Sequence, residues 1–465
     1  MNSLLQCAVL AASLLMPTGA AQAGVLKDHP GHWLGDMKLP NGKVLKFGAE
    51  IFVRADGSPW ASVSSPDQGA FDIPVKRVEE TGDSVLLDVS FATLTLTWVK
   101  DHFHGEWKQG DAPLALEMTK VAAFPKPVRA QTPKGPFPYQ DIEVAIPSSP
   151  GVVLGATLSV PKGKSHPNVV ILVGGSGPST RDEETEGHRT FAVLADHLAR
   201  QGVAVLRYDK RGVSRSTGDF SQVTVSQLGE DLFAIVRAMK ARKEFHRLGL
   251  IGHSEGPGIA ASVAAAHPKD VAFIVSLAGQ GLNGLEGLLA QDRVWAKDHG
   301  ATPADVEKLM VYVRKYYETI IAQADIAPRL AALKALQQGL APEDKALIEK
   351  HHMNEGTLSL AWAQEPFLRA SLLSDPPADW RAVRCPVLAL NGSLDHQVPA
   401  EENLRGIQSS LKAGGNEHIE WAVLPSLNHL FQTAKTGRED EYGALDETLA
   451  PEVLRRVAAF VAAQR

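Results

Sequence analysis

The stretch Leu248-Gly249-Leu250-Ile251-Gly252-His253-Ser254-Glu255-Gly256-Pro257-Gly258 decides how the whole chain is read. Its opening residues, Leu248 to Gly252, form a short apolar run of the kind that suits a strand covered on both faces, and the small residues from Gly258 to Ala266 read as a helix. Between strand and helix lies G-x-S-x-G. A serine held on so sharp a turn needs flanking residues without Cβ, because only then do strand and helix approach closely enough. The pattern alone is common. Its position after a strand and before a helix makes it a nucleophile elbow, with Ser254 exposed as a candidate nucleophile rather than as a helix cap.

The same grammar extends in both directions. Val169 to Val173 and Val203 to Tyr208 are continuous apolar runs upstream, each followed by a helical pattern, Phe191 to Gln201 and Val225 to Arg242. Ala272 to Leu277 is the next strand downstream. Repeated strand-helix-strand units predict an α/β fold with a mostly parallel, doubly wound sheet. The alternation then stops, and from about 282 to 380 only helical spacing is found, as in Ala304 to Gln323 and Leu330 to Gln338. Strands resume at Pro386 to Leu390 and Ile419 to Leu424. A helical insertion there is expected to be a cap over the C-terminal strand ends, where such sheets bind ligands.

Ahead of residue 139 the pattern is different. Short alternating segments such as Val44 to Phe47, Glu50 to Val53, Ser84 to Val89 and Leu94 to Val99, punctuated by Asp-Gly and Thr-Gly-Asp, predict a small antiparallel all-β domain over 24–123. The prolines of 124–138 predict a stiff linker before an α/β domain over 139–465. At the start, the apolar run Leu4 to Met16 is too short to span a bilayer and leads into Ala21-Gln22-Ala23. That predicts a signal peptide over 1–23, cleavage after Ala23 and a periplasmic or secreted protein. Its removal takes Cys7 and leaves Cys385, so no intrachain disulfide is expected. The 465 residues are 44% hydrophobic and 22% charged, which excludes a disordered or collagen-like chain. A net charge of -6, without long runs of either sign, argues against nucleic-acid binding, and no further stretch of membrane-spanning length follows the leader.

A serine hydroxyl becomes a nucleophile only beside a general base, and the base needs an orienting carboxylate. Asp395 follows the strand Pro386 to Leu390 across Asn391-Gly392-Ser393, and His429 follows Ile419 to Leu424 across Pro425-Ser426-Leu427-Asn428. Ser254, Asp395 and His429 are therefore expected at C-terminal strand ends on one side of the sheet. An acid after the preceding strand is excluded, since Ser276-Leu277-Ala278-Gly279-Gln280-Gly281 has no carboxylate. His253 is expected to pack, Asp209 to form a loop-fixing ion pair with its neighbours Lys210 and Arg211, and His396 to belong to the acid's loop. The oxyanion donors are expected to be the backbone N–H groups of Glu255, at a helix N-terminus, and of Ser176 in Gly174-Gly175-Ser176-Gly177-Pro178. That glycine-rich loop lacks GK[ST], so phosphate binding is not expected. No HExxH or paired CxxC is present, and His102 with His104, or His351 with His352, lack a third ligand at metal spacing; no metal and no cofactor are expected.

Five segments taken in order, Leu172 to Pro178, Tyr208-Asp209-Lys210-Arg211-Gly212, Gly252 to Gly256, Leu390 to Pro399 and Leu427 to Gln432, resemble the α/β-hydrolase superfamily, in its branch of bacterial secreted esterases and serine aminopeptidase-like hydrolases. The resemblance implies an eight-stranded sheet, a helical cap and carboxylic-ester hydrolysis through an acyl-enzyme. Gly174 departs from it where relatives often carry His, as does Val213-Ser214 where Gly often follows Arg-Gly. Two other readings stay open: an aminopeptidase or amidase with the same three residues, with Glu183, Glu184 and Glu186 holding a substrate amino group, and a non-catalytic binding protein. Small-molecule esters are the expected substrates. The cap aromatics Trp295, Tyr316, Tyr317, Trp362 and Phe367 suggest an apolar pocket, and Trp60 or Trp107 of the β domain, if exposed, a glycan or lipid contact.

Overall fold

Residues along Val169–Val173 alternate between two hydrophobic cores, and that alternation organises the larger part of the molecule. Val169, Ile171 and Val173 join Leu206, Leu250, Ile274 and Ala389 in one core, while Val170 and Leu172 join Val205, Ile251, Val275 and Leu388 in the other. Side chains of a strand point alternately to opposite faces, so a strand apolar at every position needs cover on both. The computed structural model describes residues 24–464 apart from 55, 69, 90–91, 111, 126–128, 222 and 355–356. The expected signal peptide, and Pro127 of the expected linker, lie outside the described residues.

The central sheet has eight strands: β1 Tyr139–Pro147, β2 Val153–Pro161, β3 Val169–Val173, β4 Ala204–Tyr208, β5 Leu248–His253, β6 Phe273–Leu277, β7 Val387–Gly392 and β8 Ile419–Leu424. Their spatial order is 1-2-4-3-5-6-7-8. The pairs from β4 through β8 are parallel, and β1 and β2 add antiparallel pairs at one edge. One face is covered by α2 Val225–Ala241 and α3 Gly256–Ala266, the other by α1 Thr190–Arg200. Leu194, Leu198, Leu232 and Ile235, on these helices, are each 0% exposed. Burying one such side chain contributes roughly 1.5–3 kcal/mol.

Between β6 and β7 the chain forms α4 Gly284–Asp298, α5 Pro303–Ala322, α6 Ile326–Gln338, α7 Pro342–Lys350, α8 Pro366–Leu372 and α9 Pro376–Ala382. The first five share a core of their own, including Leu309, Val313, Tyr316, Tyr317 and Leu368. The sixth does not. Trp380 in α9 is fully buried in the sheet's core and donates from Nε1 to the Gln280 carbonyl at 2.9 Å, so α9 belongs to the sheet rather than to the insertion. Helical spacing shows that a segment is a helix but not which core its apolar face enters. After β7, α10 Ala400–Ala413 covers the face of α2 and α3, and α11 Pro451–Ala463 covers that of α1.

Among the described residues the N-terminal region is a nine-stranded antiparallel sheet, its strands running from Gly31–Lys38 to Pro113–Val121. The predicted segments Val44 to Phe47 and Glu50 to Val53 are one strand, Val44–Val53, because Gly48 and Ala49 continue the ladder opposite Ser64 and Val63. Trp107 is 5% exposed and packs on Phe47 with ring centroids 4.6 Å apart, which makes it core rather than a contact surface. Trp60 is half-buried and stacks on Phe52 at 4.6 Å. The expected linker is docked: the Arg129 guanidinium donates to the carbonyls of Leu445 and Gly443 at 2.9 and 2.8 Å and to that of Glu186 at 2.9 Å. Gln131 pairs with the backbone of Thr448 and Leu449.

Candidate active site

The turn between β5 and α3 is built by exclusion of side-chain atoms. A methyl group at Gly252 would lie 2.3 Å from the Pro257 nitrogen, and one at Gly256 would lie 2.1 Å from the Val173 carbonyl oxygen. Both contacts are with backbone and have no room to relax. Ser254 takes a positive φ of 58°, and its N–H donates to the Leu277 carbonyl at 2.9 Å, which pins the turn to the end of β6. Left-handed backbone at a residue with a Cβ costs of order 1–3 kcal/mol and persists where its surroundings over-determine it.

Two loops bring the other predicted residues to Ser254. Beyond β7, Ser393 and Leu394 donate their N–H groups to the carbonyls of Leu424 and Leu427, tying the Asp395 loop to the His429 loop. The Asp395 carboxylate accepts from the N–H groups of Gln397 and Val398 at 2.9 and 2.8 Å. Its two oxygens lie 3.0 and 2.9 Å from His429 Nδ1, and His429 Nε2 lies 3.1 Å from Ser254 Oγ. Both Asp395 and His429 are buried. A carboxylate only accepts, so Nδ1 carries the proton and the Nε2 lone pair faces the serine hydroxyl.

Gly175 packs against the serine: a Cβ there would come 3.0 Å from Ser254 Cβ. Among the described residues, no protein acceptor is bonded to the N–H of Ser176 or of Glu255. The rest of this glycine loop is held by groups with other expected roles. Glu183, expected as an amine-binding candidate, is 8% exposed and accepts from the Gly175 N–H at 2.6 Å and faces His253 Nδ1 at 3.0 Å. The other nitrogen of His253 lies 3.0 Å from the His429 carbonyl. Burial pulls the His253 imidazolium down, but the Glu183 charge and hydrogen bond outweigh it, helped by the His429 carbonyl and by Asp395, and its pKa is raised to about 9. His253 is buried as expected, yet as a charged connector.

Lys210 and Asp209 also differ from expectation. Asp209 pairs with Arg181, at 2.7 Å from Nη2, and accepts the N–H groups of Arg181 and Arg215, so it fixes its loop through partners other than its neighbours. Arg211 instead binds Asp231 at 2.7 and 2.8 Å. Lys210, 2% exposed, donates to the carbonyls of Gly175 and Gly177 and lies 3.5 Å from the Glu255 carboxylate. Burial lowers its pKa, opposed by Glu255 and Glu183. His396 faces Asp298 at 2.7 Å, joining the acid's loop to the end of α4. Lys210 and Glu183 are expected in other roles, and that both hold the glycine loop is not legible in the sequence, because nothing local names the partner of either.

In the insertion, Tyr316 and Tyr317 are core residues, 1% and 0% exposed, with hydroxyls donated to the Ser359 carbonyl and to Asp292. Trp295 and Trp362 do line a cavity of about 570 Å³, together with Leu288, Gln291 and Asp292. Burial raises the Asp292 carboxyl to about 6, against the two hydroxyls of Thr357 and Tyr317 that stabilise its charged form. Cys385 is a free thiol that burial pushes up to about 12.

A serine on a strand-to-helix turn, with acid and base loops after later strands of a sheet in the order 1-2-4-3-5-6-7-8, defines the α/β-hydrolase architecture. Within that class the chain belongs to the family described as "Serine aminopeptidase, S33", whose profile matches residues 185–433, more than half of its length. It is similar to esterase EstD of Thermotoga maritima, 22% identical over 297 residues, which span 64% of this chain and 61% of that relative. Among solved structures it is similar to Est1E of Butyrivibrio proteoclasticus with ferulic acid bound (16% identity, 69% of this chain and 98% of that one, TM-score 0.42). It is also similar to the Pyrococcus furiosus esterase Pf2001 (17% identity, 70% and 91%, TM-score 0.41).

Proposed function

We propose that this chain is a serine hydrolase that cleaves carboxylic esters through an acyl-enzyme. The observation that carries the reading is the hydrogen-bonded series from Asp395 through His429 to Ser254, with the serine on a strained turn. Ser254 Oγ attacks the ester carbonyl carbon while His429 Nε2 takes its proton. The resulting imidazolium is stabilised by Asp395 across Nδ1, and the negative charge on the former carbonyl oxygen is held by the N–H groups of Ser176 and Glu255. Collapse breaks the bond to the leaving alkoxide, which receives the proton from Nε2. Water then repeats the sequence on the acyl-enzyme, releasing the acid and restoring Ser254.

The family's name raises the peptidase alternative, and one feature favours the ester. Capture of a substrate α-amino group needs a carboxylate open to the substrate near the serine, and of the candidates Glu183, Glu184 and Glu186 the first is buried, with one oxygen engaged by Gly175 and His253. Ester hydrolysis by the relative EstD, as its name states, agrees with this choice. Assay of p-nitrophenyl acetate beside amino-acid p-nitroanilides checks it, with turnover of the ester alone expected. Ser254→Ala is expected to lower ester turnover by at least about 10³-fold and to abolish labelling by a fluorophosphonate probe. Turnover retained in that variant, or label found on another serine, refutes the assignment.

A further inference from the structure

The Gly175–Ser176 peptide unit is held from its carbonyl side by a buried cation. Lys210 Nζ donates to the Gly175 oxygen, reaches the Gly177 oxygen at 3.1 Å, and lies 5.8 Å from the centroid of the Phe220 ring. In a planar trans peptide the C=O and the following N–H point in opposite directions. Fixing the Gly175 carbonyl therefore fixes the Ser176 N–H on the other side of the same plane. The same ammonium lies 3.5 Å from the Glu255 carboxylate, on the residue whose N–H is the other proposed donor. On the Gly175 side the plane before it is held too, since the Gly175 N–H is bonded to Glu183. The loop has glycine at 174, 175 and 177, so its own side chains do little to restrict its backbone.

We propose that Lys210 is a positioning residue for ester hydrolysis: by binding the Gly175 carbonyl it orients and polarises the Ser176 N–H toward the oxyanion that forms on attack by Ser254. This rests on the serine-hydrolase reading above. A cation on a peptide oxygen draws electron density from the amide and makes its N–H a better donor, in a site where low dielectric keeps that effect large. The gain is made when charge develops on the substrate oxygen, so it belongs to the transition state rather than to substrate binding. No proton or electron is transferred to or from Lys210.

The test uses the full chain with p-nitrophenyl acetate and a trifluoromethyl ketone, whose addition to the serine gives an anionic tetrahedral adduct. Lys210→Met is expected to lower kcat by about 10–100-fold, somewhat less than the loss of a whole donor, with KM within about twofold. Ketone affinity should fall by the same factor as kcat/KM. Lys210→Gln, which keeps an N–H donor without charge, should recover part of the loss, and it serves as the readout where the methionine variant does not fold. An unchanged kcat, a rise in KM alone, or a fall in kcat without loss of ketone affinity in the folded variant overturns the proposal. Absence of fluorophosphonate label on Ser254 in the wild-type chain would instead overturn the reading beneath it.

Discussion

His253 stands between two acceptors, the Glu183 carboxylate and the His429 carbonyl, and a neutral imidazole has one N–H for the two. The geometry therefore favours the doubly protonated ring, in keeping with a pKa raised to about 9 from 6.5. A group whose folded pKa is raised contributes its full stability below the unfolded value and loses it as pH climbs through the folded one. The window here is from about pH 6.5 to 9, and the amount is on the order of 3 kcal/mol. Lys210 acts in the opposite sense, since burial lowers it and loss of its proton relieves a cost. Urea unfolding of the wild type should show stability declining across that window. Glu183→Gln removes the counter-charge, lets His253 titrate lower, and should flatten the decline; parallel curves for the two proteins would exclude the pair as its source. The sequence carries a histidine beside the serine, and the reading that it packs was right about burial. Its charge depends on Glu183, 70 residues away, and no local pattern reveals that.

At the scale of elements, the elbow makes a comparison within one helix. Gly256 and Gly258 both lie in α3, yet a Cβ at Gly256 meets the Val173 carbonyl at 2.1 Å and one at Gly258 meets nothing within 4 Å. Gly256→Ala should destabilise by about 1–3 kcal/mol or more through overpacking against backbone. Gly258→Ala should be neutral or stabilise by roughly 0.5–1 kcal/mol, since alanine loses less backbone entropy in a helix. Differential scanning calorimetry of the two variants reads the contrast, and equal shifts in Tm would refute the packing account. β3, β4, β5 and β8 match their predicted apolar runs to within about a residue, and α1, α2 and the end of α3 likewise. β1, exposed at most of its positions, carries no comparable apolar run.

Across the whole molecule, the β region and the sheet are joined by specific polar contacts. Arg54 donates to the Gly212 and Ser214 carbonyls at 2.8 and 3.3 Å, and the Arg215 guanidinium lies 4.1 Å from the Phe52 ring. Beside them is a cleft of about 1750 Å³ that runs from Trp60 and Phe71 to Pro178 and Arg181, next to the glycine loop. The docked segment after it closes on the C-terminal part through Arg129, whose three carbonyl partners span Glu186 to Leu445. Arg129→Ala leaves those acceptors without their charged donor and should lower unfolding free energy by about 1–3 kcal/mol in urea titration; an unchanged midpoint and slope would show the contacts to be incidental.

Taken alone, the sequence determined the α/β class, the helical insertion, the elbow, and the candidates Ser254, Asp395 and His429, because each follows from apolar runs and turn residues that are contiguous in the chain. Tertiary structure alone decided that α9 belongs to the sheet, that Trp107 and the two cap tyrosines are core, and that Lys210, Glu183 and His253 hold the loops around the serine. Apolar burial leaves a periodic trace along the chain, whereas the partner of a buried charge is set by which distant segments the fold brings within about 3 Å.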